Sequence, residues 1–238
     1  MKVCIASYYM PNISQKTVEL QKKVTEKFNP LRIPHIVVTG EMPHGLFIDY
    51  MWALNGQPPL SMKDKNINKQ LDFDAILFLD IDCIPLSDNA IELYLNRALD
   101  GVLIGNAQRS GHISNNNHLF AAPSAVALSR ETYETLGRPS GVETPRGDVM
   151  EEYSYAAEIN NIKIELALPT KYDRPVFRYE WEQDRRPYWT LENNLPNYGL
   201  GTTYGSDEHG DLFWHNFQIR VEGQQEEFWK KCEAIVNG

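Results

Sequence analysis

Two aspartates, Asp80 and Asp82, follow the most strand-like segment of the sequence, which reads DAILFLDIDCIP from Asp74 to Pro85. The apolar run before them is typical of an interior strand of a parallel sheet. Side chains alternate along an extended backbone, so both carboxylates are expected on one side. There they can bind one hard cation, or a cation together with a sugar hydroxyl. We predict a ligand site here; the alternative is a pair of aspartates that only solvates or caps the strand.

A second group of acidic residues lies in the segment GDVMEEYSYAAEINNIKIEL, which begins at Gly147. Asp148 and Glu151 have the spacing of a capping box, so we expect them to stabilise a helix N-terminus. Glu152 falls within the buried arc of this predicted helix, whereas Glu151 falls outside it. A carboxylate on an inward face is costly without a partner or a task. Glu152 is therefore a candidate catalytic residue, and a buried ion pair, for example with an arginine, is the alternative.

The elements that must hold these residues alternate between strand and helix. Val3 to Tyr9 predicts a first strand, Ser14 the N-cap of the helix that follows, and Ile33 to Thr39 a second strand before another helix. Further strands and helices follow Asp82, as far as a strand over Ile162 to Leu168. This alternation predicts an α/β fold with a mostly parallel central sheet and helices on both of its faces.

The C-terminal part has a different composition. Pro169 to Gly210 is rich in proline, asparagine, glycine and aromatic residues, and we predict loops that pack over the sheet and line a pocket. Its aromatic residues include Phe177, Tyr179, Trp181, Tyr188, Trp189 and Tyr198, and it also holds Arg185 and Arg186. An amphipathic helix is predicted from about Gln224, and we expect its apolar stripe to dock on the domain.

Composition excludes several classes of protein. The chain has 238 residues, enough for one large α/β domain, and no run approaches the roughly 18 apolar residues of a membrane span. A net charge of −9 argues against binding of nucleic acid through a broad electrostatic surface. The first residues have no signal-peptide pattern, and Cys4, Cys83 and Cys232 have no metal-ligand spacing. We therefore expect free thiols and a cytoplasmic protein.

The segment DAILFLDIDCIPLSDNAIEL resembles the signature of glycosyltransferases with the GT-A fold. In that family an apolar strand ends in an Asp-x-Asp motif, which holds Mn²⁺ or Mg²⁺ against a nucleotide-sugar diphosphate. LFAAPSAVALSRETYETLG and the acidic segment after it are similar to the regions that follow in those enzymes, so the resemblance spans roughly residues 1 to 220. The chain departs from the pattern in an Ala-Pro-Ser stretch where glycine is common, and it has no clean Glu-Asp pair on the acidic helix.

The resemblance implies a Rossmann-like GT-A catalytic domain over residues 1–238, with a nucleotide-binding half (1–106) and an acceptor half (107–238). It implies transfer of a sugar from a UDP- or GDP-sugar to a glycan or other hydroxyl acceptor. Asp80, Asp82 and His215, from the segment FWHNFQ, would hold the metal ion, and Asp80 would also contact the donor. Glu152 would deprotonate or orient the acceptor.

The strand end formed by Ser7, Tyr8 and Tyr9 would contact the nucleoside in the resembled fold, with one tyrosine stacked on the base. The alternative puts one of these rings in the core and the other on the surface. For His215 the alternative is a buried, hydrogen-bonded core histidine, and His209 is a weaker metal candidate. Arg185 and Arg186 are expected at the surface rather than on a diphosphate.

Other functions fit parts of the same pattern. FLDIDCIPL also resembles the first motif of haloacid dehalogenase phosphatases, with Asp80 as nucleophile and Asp82 as acid/base. No lysine occurs between Gly101 and Asp148, and a complete β-α-β-α unit precedes the motif, which both count against that family. A nucleotidyltransferase would need a glycine-rich basic loop after the first strand, which is not seen. A sugar-binding module without catalysis remains open, and it would tolerate replacement of Glu152.

Overall fold

The computed structural model describes residues 1–62, 65, 67–110, 118–175, 199–217, 219 and 223–238. The six aromatic residues named above for the Pro169 to Gly210 region lie outside this part of the chain. So do Arg185 and Arg186.

Strands and helices alternate through the first part of the chain. They are β1 (Val3–Tyr9), α1 (Gln15–Lys27), β2 (His35–Thr39), α2 (His44–Leu54), a 3₁₀ turn (Leu60–Met62), β3 (Ala75–Leu79), β4 (Cys83–Pro85), α3 (Ala90–Leu99) and β5 (Leu103–Arg109). The later elements are β6 (Leu119–Ser129), α4 (Arg130–Thr135), α5 (Glu151–Ile159), β7 (Ile164–Pro175), β8 (Gly199–Ser206), β9 (Gly210–His215) and α6 (Gln224–Asn237). The chain is therefore α/β, as predicted. The predicted N-cap of α1 is also confirmed, because the Ser14 hydroxyl accepts a hydrogen bond from the Lys16 backbone amide.

The described strands form one mixed sheet in the order β2-β1-β3-β6-β5-β7-β8-β9-β4. Only the pairs β1 with β2, β1 with β3 and β5 with β7 are parallel, and the other described pairs are antiparallel. The prediction of a mostly parallel sheet was wrong. A continuous apolar run indicates a strand that is buried on both faces, but it does not indicate the direction of the neighbouring strands.

Helices cover both faces of the sheet, as the pattern predicted. Ile76 and Phe78 of β3 belong to one core cluster, with Trp52 of α2 and residues from α4 and α5. Leu77, on the opposite face of the same strand, belongs to a second cluster with Tyr94 of α3. A third cluster joins α1 and α6 to β4 and β9. Strand β3 is therefore fixed from both sides, and its C-terminal end has a defined position.

The region from Pro169 to Gly210 is more regular than expected. Strand β7 continues to Pro175 and β8 occupies Gly199–Ser206, so the prediction of loops was wrong at both ends of this region. Backbone pairing with β8 and then β9 stabilises these stretches, although their sequence has no strand-like alternation. The predicted amphipathic helix is present as α6, and its Phe228 and Cys232 are buried against the domain.

None of the described helices combines the length and apolar character needed to cross a membrane. The three cysteines are free and buried, in agreement with the prediction of free thiols.

Candidate metal site

Asp80 and Asp82 lie in a tight turn between β3 and β4. The backbone amide of Asp80 donates to the carbonyl of Ser124 in β6, at 3.0 Å, and the amide of Cys83 donates to the carbonyl of Asp80, at 2.9 Å. The chain therefore bends between the two aspartates instead of continuing as an extended strand. The carboxylates do converge as predicted, but the turn rather than strand alternation brings them together.

His215 reaches the same place from the other end of the chain. It is the last residue of β9, and its backbone is paired with Cys83 of β4. The amide of Asn216 donates to the carbonyl of Asp82, at 2.9 Å, which fixes the end of β9 on the turn. The short antiparallel pair of β4 and β9 thus brings a residue from the C-terminal part of the chain to the turn after β3.

The three side chains form a group that can hold a metal ion. Ligand atoms of Asp80, Asp82 and His215 all lie within 4.8 Å of one another. Nε2 of His215 is 3.2 Å from Oδ1 of Asp82 and 4.0 Å from Oδ2 of Asp80. Carboxylate oxygens with one imidazole nitrogen suit Mn²⁺ well, and the carboxylates also suit Mg²⁺. The donor set and its spacing therefore fit the predicted divalent cation.

The electrostatics of this group favour positive charge. Burial lowers the pKa of His215, but the carboxylates of Asp82 and Asp80 outweigh burial, and the pKa is raised overall. Without a cation, a proton on the imidazole offsets part of the charge of the two carboxylates. A metal cation and a proton on the His215 imidazole therefore compete for this group.

Cys83 lies directly beneath the turn and is fully buried. Burial, together with the charges of Asp80 and Asp82, raises the pKa of its thiol well above the usual range. A thiol that stays protonated is a poor metal ligand and a poor nucleophile. Cys83 therefore packs in the core next to the site.

A second histidine, His44, contacts the site from α2. Its Nε2 atom is 3.0 Å from Oδ1 of Asp80, on the carboxylate oxygen that does not face His215. His44 was not among the residues predicted from the sequence. The signal was available, because β1, β2 and β3 are parallel and their C-terminal ends share one edge of the sheet. A polar residue shortly after β2 was therefore a candidate neighbour of Asp80.

The predicted nucleoside contacts, Ser7, Tyr8 and Tyr9, end β1 at this same edge. Ser7 is buried, its hydroxyl 2.9 Å from Nε2 of His35, and it accepts a hydrogen bond from the Gln21 side chain at 3.2 Å. Gln21 also approaches the carbonyls of Asp80 and Cys83, at 3.4 and 3.5 Å. These contacts tie α1 and β1 to the turn that carries the aspartates.

The two tyrosines differ in burial. Tyr8 is buried, its ring stacks on Phe47 with centroids 5.3 Å apart, and its hydroxyl accepts a hydrogen bond from the Met42 amide at 3.0 Å. Tyr9 is half-buried at the edge of the cluster between α1 and α6. Tyr8 therefore holds the connection between β2 and α2, and Tyr9 is the more accessible ring. Nucleoside binding by these residues stays a prediction.

The acidic segment forms a separate cluster around the start of α5. Glu152 pairs with Arg146: its Oε1 accepts from Nε of Arg146 at 2.8 Å, and its Oε2 also bonds the guanidinium. Thr144 donates its hydroxyl to the same Oε1, at 2.8 Å. The hydrogen bond from Arg146 is the main cause of a lowered pKa for Glu152, and burial opposes it. A pair with an arginine is thus present, but 59% of the Arg146 side chain is exposed, so it is not the buried ion pair given as the alternative for Glu152.

Glu151, and not Glu152, is the buried carboxylate of this helix. Its side chain has no exposed surface, whereas 18% of the Glu152 side chain is exposed. The N-cap of α5 is Met150, with no side-chain cap bond, so the predicted capping box of Asp148 and Glu151 is not formed. Oε2 of Glu151 instead accepts from the Asp148 amide at 2.7 Å, ahead of the helix. Its Oε1 is 2.8 Å from Nδ1 of His118. The expected orientation was wrong because Met150 has a positive φ of 64°, so α5 begins at Glu151 and its buried face is rotated.

Solved structures similar to this chain include glycosyltransferases. One is involved in the glycosylation of the major capsid of PBCV-1; it is 10% identical, over 98% of this chain and all (100%) of that chain, with a TM-score of 0.46. The galactosyltransferase LgtC, in complex with donor and acceptor sugar analogs, is 11% identical over 98% of this chain and 95% of its own, with a TM-score of 0.46.

A Drosophila beta-1,4-galactosyltransferase 7 mutant, in complex with manganese, UDP-Gal and xylobiose, is 11% identical over 96% of this chain and 79% of its own, with a TM-score of 0.43. No protein-family model matches the sequence, and no curated protein matches it either. What the site does is therefore inferred from its own side chains.

Proposed function

We propose that the chain is a metal-dependent glycosyltransferase that moves a sugar from a nucleoside-diphosphate sugar to a hydroxyl acceptor. The observation that carries the proposal is the convergence of Asp80, Asp82 and His215 at the end of β3. Two carboxylates and an imidazole at the C-terminal edge of a sheet suit a divalent cation, and this edge is where α/β folds collect ligands. UDP and GDP are the expected nucleotides, and a glycan is the expected acceptor.

In this reaction the acceptor hydroxyl attacks the anomeric carbon of the donor, the bond to the diphosphate breaks, and the hydroxyl proton passes to a base. A bound Mn²⁺ or Mg²⁺ would offset the charge of the leaving diphosphate. Asp80, Asp82 and His215 would hold that ion. Ser7, Tyr8 and Tyr9 form the neighbouring strand end, and the half-buried ring of Tyr9 is the one that a nucleoside would reach. Cys83 and the apolar core beneath keep the turn rigid.

Glu152 remains our candidate for the base that receives the acceptor proton. Its contact with Arg146 lowers the pKa of Glu152, so the carboxylate stays ionised and able to accept a proton. The same contact makes it a weaker base. A base role for Glu152 therefore requires Arg146 to move away, or to share the carboxylate with the acceptor.

The proposal is tested by thermal stabilisation of the protein with nucleotides, with and without Mn²⁺. We expect UDP or GDP to raise the melting temperature only when Mn²⁺ is present, and a panel of nucleotide sugars to show release of nucleoside diphosphate. Asp82→Asn should abolish both effects because it removes an anionic ligand. The control is Asp211→Asn, which changes an aspartate that pairs with Lys171 on the sheet surface. Stabilisation that needs no metal, or that survives Asp82→Asn, would contradict the proposal.

The phosphatase alternative has no specific support among the described residues. It would show as hydrolysis of a simple phosphomonoester with no preference for a nucleotide. That result in the same assay would replace the transferase.

A further inference from the structure

We propose that His44 is a positioning residue that holds the Asp80 carboxylate in the orientation needed to bind the metal ion. The inference rests on the proposed metal site of Asp80, Asp82 and His215. It assigns a task to a side chain from α2 that belongs to neither the ligand group nor the neighbouring strand ends. Three observations carry it: the contact of His44 with Asp80, the carboxylate oxygen that His44 contacts, and the packing around His44.

The contact defines which atom carries the hydrogen. Nε2 of His44 is 3.0 Å from Oδ1 of Asp80. An ionised carboxylate has no hydrogen to give, so a contact at this distance is favourable only when Nε2 carries the hydrogen. The charge of the carboxylate then attracts the imidazole N–H. His44 therefore restricts rotation of the Asp80 carboxylate.

The geometry indicates that His44 holds a metal ligand, Asp80, and is not itself a ligand of the ion. Asp80 presents Oδ1 to His44 and Oδ2 towards His215, which lies 4.0 Å away. The group of ligand atoms within 4.8 Å of one another contains Asp80, Asp82 and His215 but not His44. His44 thus contacts one oxygen of Asp80, and Oδ2 is the oxygen on the side of His215 and the proposed ligand group. Side chains that hold metal ligands in this way change metal affinity by about 10- to 100-fold when they are removed.

His44 is packed at the start of α2, with 26% of its side chain exposed. It is the first residue of α2, and its ring lies nearly parallel to those of Tyr8 and Phe47, with centroids 6.4 and 6.5 Å away. Phe47 is buried, and the hydroxyl of Tyr8 is bonded to the backbone of Met42, just before the helix. A Cβ atom on Gly45 would lie 2.3 Å from the carbonyl oxygen of Gly141, so this turn of α2 is pressed against another segment. The position of His44 is therefore set by the fold and not by the ligand.

The test measures Mn²⁺ affinity directly, by titration of the metal-free protein with detection of free Mn²⁺, alongside the melting temperature without metal. His44→Ala removes the donor, and we expect Mn²⁺ binding to weaken by about tenfold or more. His44→Gln keeps an N–H at a similar reach, so its affinity should stay within about threefold of the unchanged protein. His118→Ala, a matched control, removes a histidine from a different pair of carboxylates and should leave Mn²⁺ affinity unchanged.

Each result has one meaning. Equal Mn²⁺ affinity in His44→Ala and the unchanged protein would overturn the positioning role while the proposed metal site stands. A loss in His44→Gln as large as that in His44→Ala would also overturn it, because it would mean that the imidazole itself binds the ion. An unchanged protein that does not bind Mn²⁺, or binding that survives Asp82→Asn, would overturn the proposed function together with this inference.

Discussion

At the level of single residues, the pair of Glu152 and Arg146 decides how an acceptor hydroxyl could lose its proton. Two hydrogen bonds from the guanidinium and one from Thr144 occupy the Glu152 carboxylate. Most of Arg146 is exposed, with 59% of its side-chain surface open to solvent, and its guanidinium also lies over the ring of Tyr155. An exposed pair of this kind contributes little to stability, so its effect on the pKa of Glu152 is its more useful property.

This pairing predicts a shift in the pH dependence of transfer. Arg146 lowers the pKa of Glu152, so Arg146→Ala should raise that pKa. If Glu152 is the base, activity requires its ionised form, and the acidic limb of the kcat/KM profile should move to higher pH in Arg146→Ala. The measurement is the pH profile of nucleoside diphosphate release in the presence of acceptor.

The matched variants are Glu152→Gln and Lys171→Ala. We expect Glu152→Gln to lower kcat by about 100-fold or more, as loss of a general base does. Lys171→Ala removes a surface cation that is paired with Asp211 and should leave the profile in place. An acidic limb that does not move in Arg146→Ala would rule out Glu152 as the base and leave its pair with Arg146 as a local structural contact.

Single site residues could be predicted from the sequence where the type of side chain and its place in a predicted element both pointed to a ligand. Asp80 and Asp82 could be predicted because two carboxylates at the end of a buried, apolar strand are costly unless they bind a partner. His215 depended on the resemblance, since one histidine in an aromatic run usually belongs to the core. The exchange of Glu151 and Glu152 could not be foreseen, because it depends on the left-handed backbone of Met150.

At the level of elements, His118 joins the start of β6 to α5. Its Nδ1 and Nε2 atoms lie 2.8 and 2.9 Å from carboxylate oxygens of Glu151 and Glu158, and its ring stacks on Tyr155 with centroids 4.1 Å apart. Only the protonated imidazole can donate to both carboxylates at once. The contact therefore depends on the charge of His118.

We expect this contact to make stability depend on pH. Burial lowers the pKa of His118, but Glu151 and Glu158 outweigh burial and raise it overall. A raised pKa stabilises the folded chain below the ordinary histidine value of about 6.5, and the contribution is lost as the pH rises through the folded value. The free energy of unfolding in urea should fall over this range, and the fall should be smaller in His118→Gln.

Comparing the unchanged protein with His118→Gln isolates the contribution of His118 to the pH dependence of stability. His215 also has a raised pKa and contributes in the same direction in both, so only the difference between their pH profiles counts. Identical pH dependence of unfolding in the unchanged protein and in His118→Gln would show that the bridge between β6 and α5 does not depend on protonation.

Element boundaries were predictable wherever hydrophobic periodicity was strong, as in β1, which spans the predicted Val3–Tyr9, and in β3, which spans Ala75–Leu79. Short strands escaped notice. Cys83–Pro85 has too few residues to show a period, and it contains a proline, which normally argues against a strand. Its pairing with β9 is a tertiary contact, and no local sequence pattern predicts it.

For the molecule as a whole, the strand order interleaves the two predicted halves of the chain. Strand β3 pairs along its length with β6, and β5 pairs with β6 and β7, so residues from both halves share the same core clusters. Division into a nucleotide-binding and an acceptor half can describe the roles of residues, but neither half has a complete core of its own.

We therefore expect a fragment of residues 1–106 not to fold by itself. The fragment would expose the edge of β3 and the apolar surfaces that β6 covers in the complete chain. Amide hydrogen exchange is the measurement: amides of β1 and β3 should be protected in the full chain and unprotected in the fragment. Protected amides in the fragment, together with cooperative unfolding, would instead show that the first half is an independent domain.

The α/β class could be predicted at this scale because alternating strands and helices leave a strong periodic signal. The mixed sheet could not, since β6 fits between β3 and β5 in the opposite direction through contacts between residues far apart in the sequence. The hydrophobic pattern shows which surfaces of the strands and helices are buried. It does not show the direction of each strand, because several arrangements of strand directions bury the same surfaces.

The pairing of β4 with β9 also has a consequence for synthesis of the protein. His215 follows Asp82 by 133 positions, so a ribosome that adds about 5–20 residues per second needs on the order of ten seconds to pass from one to the other. During that interval the turn after β3 exists without its histidine and β4 has no partner strand. A nascent chain therefore acquires its complete cation-binding group only after β9 has been translated, and a chain interrupted before β9 carries the Asp-x-Asp turn without His215.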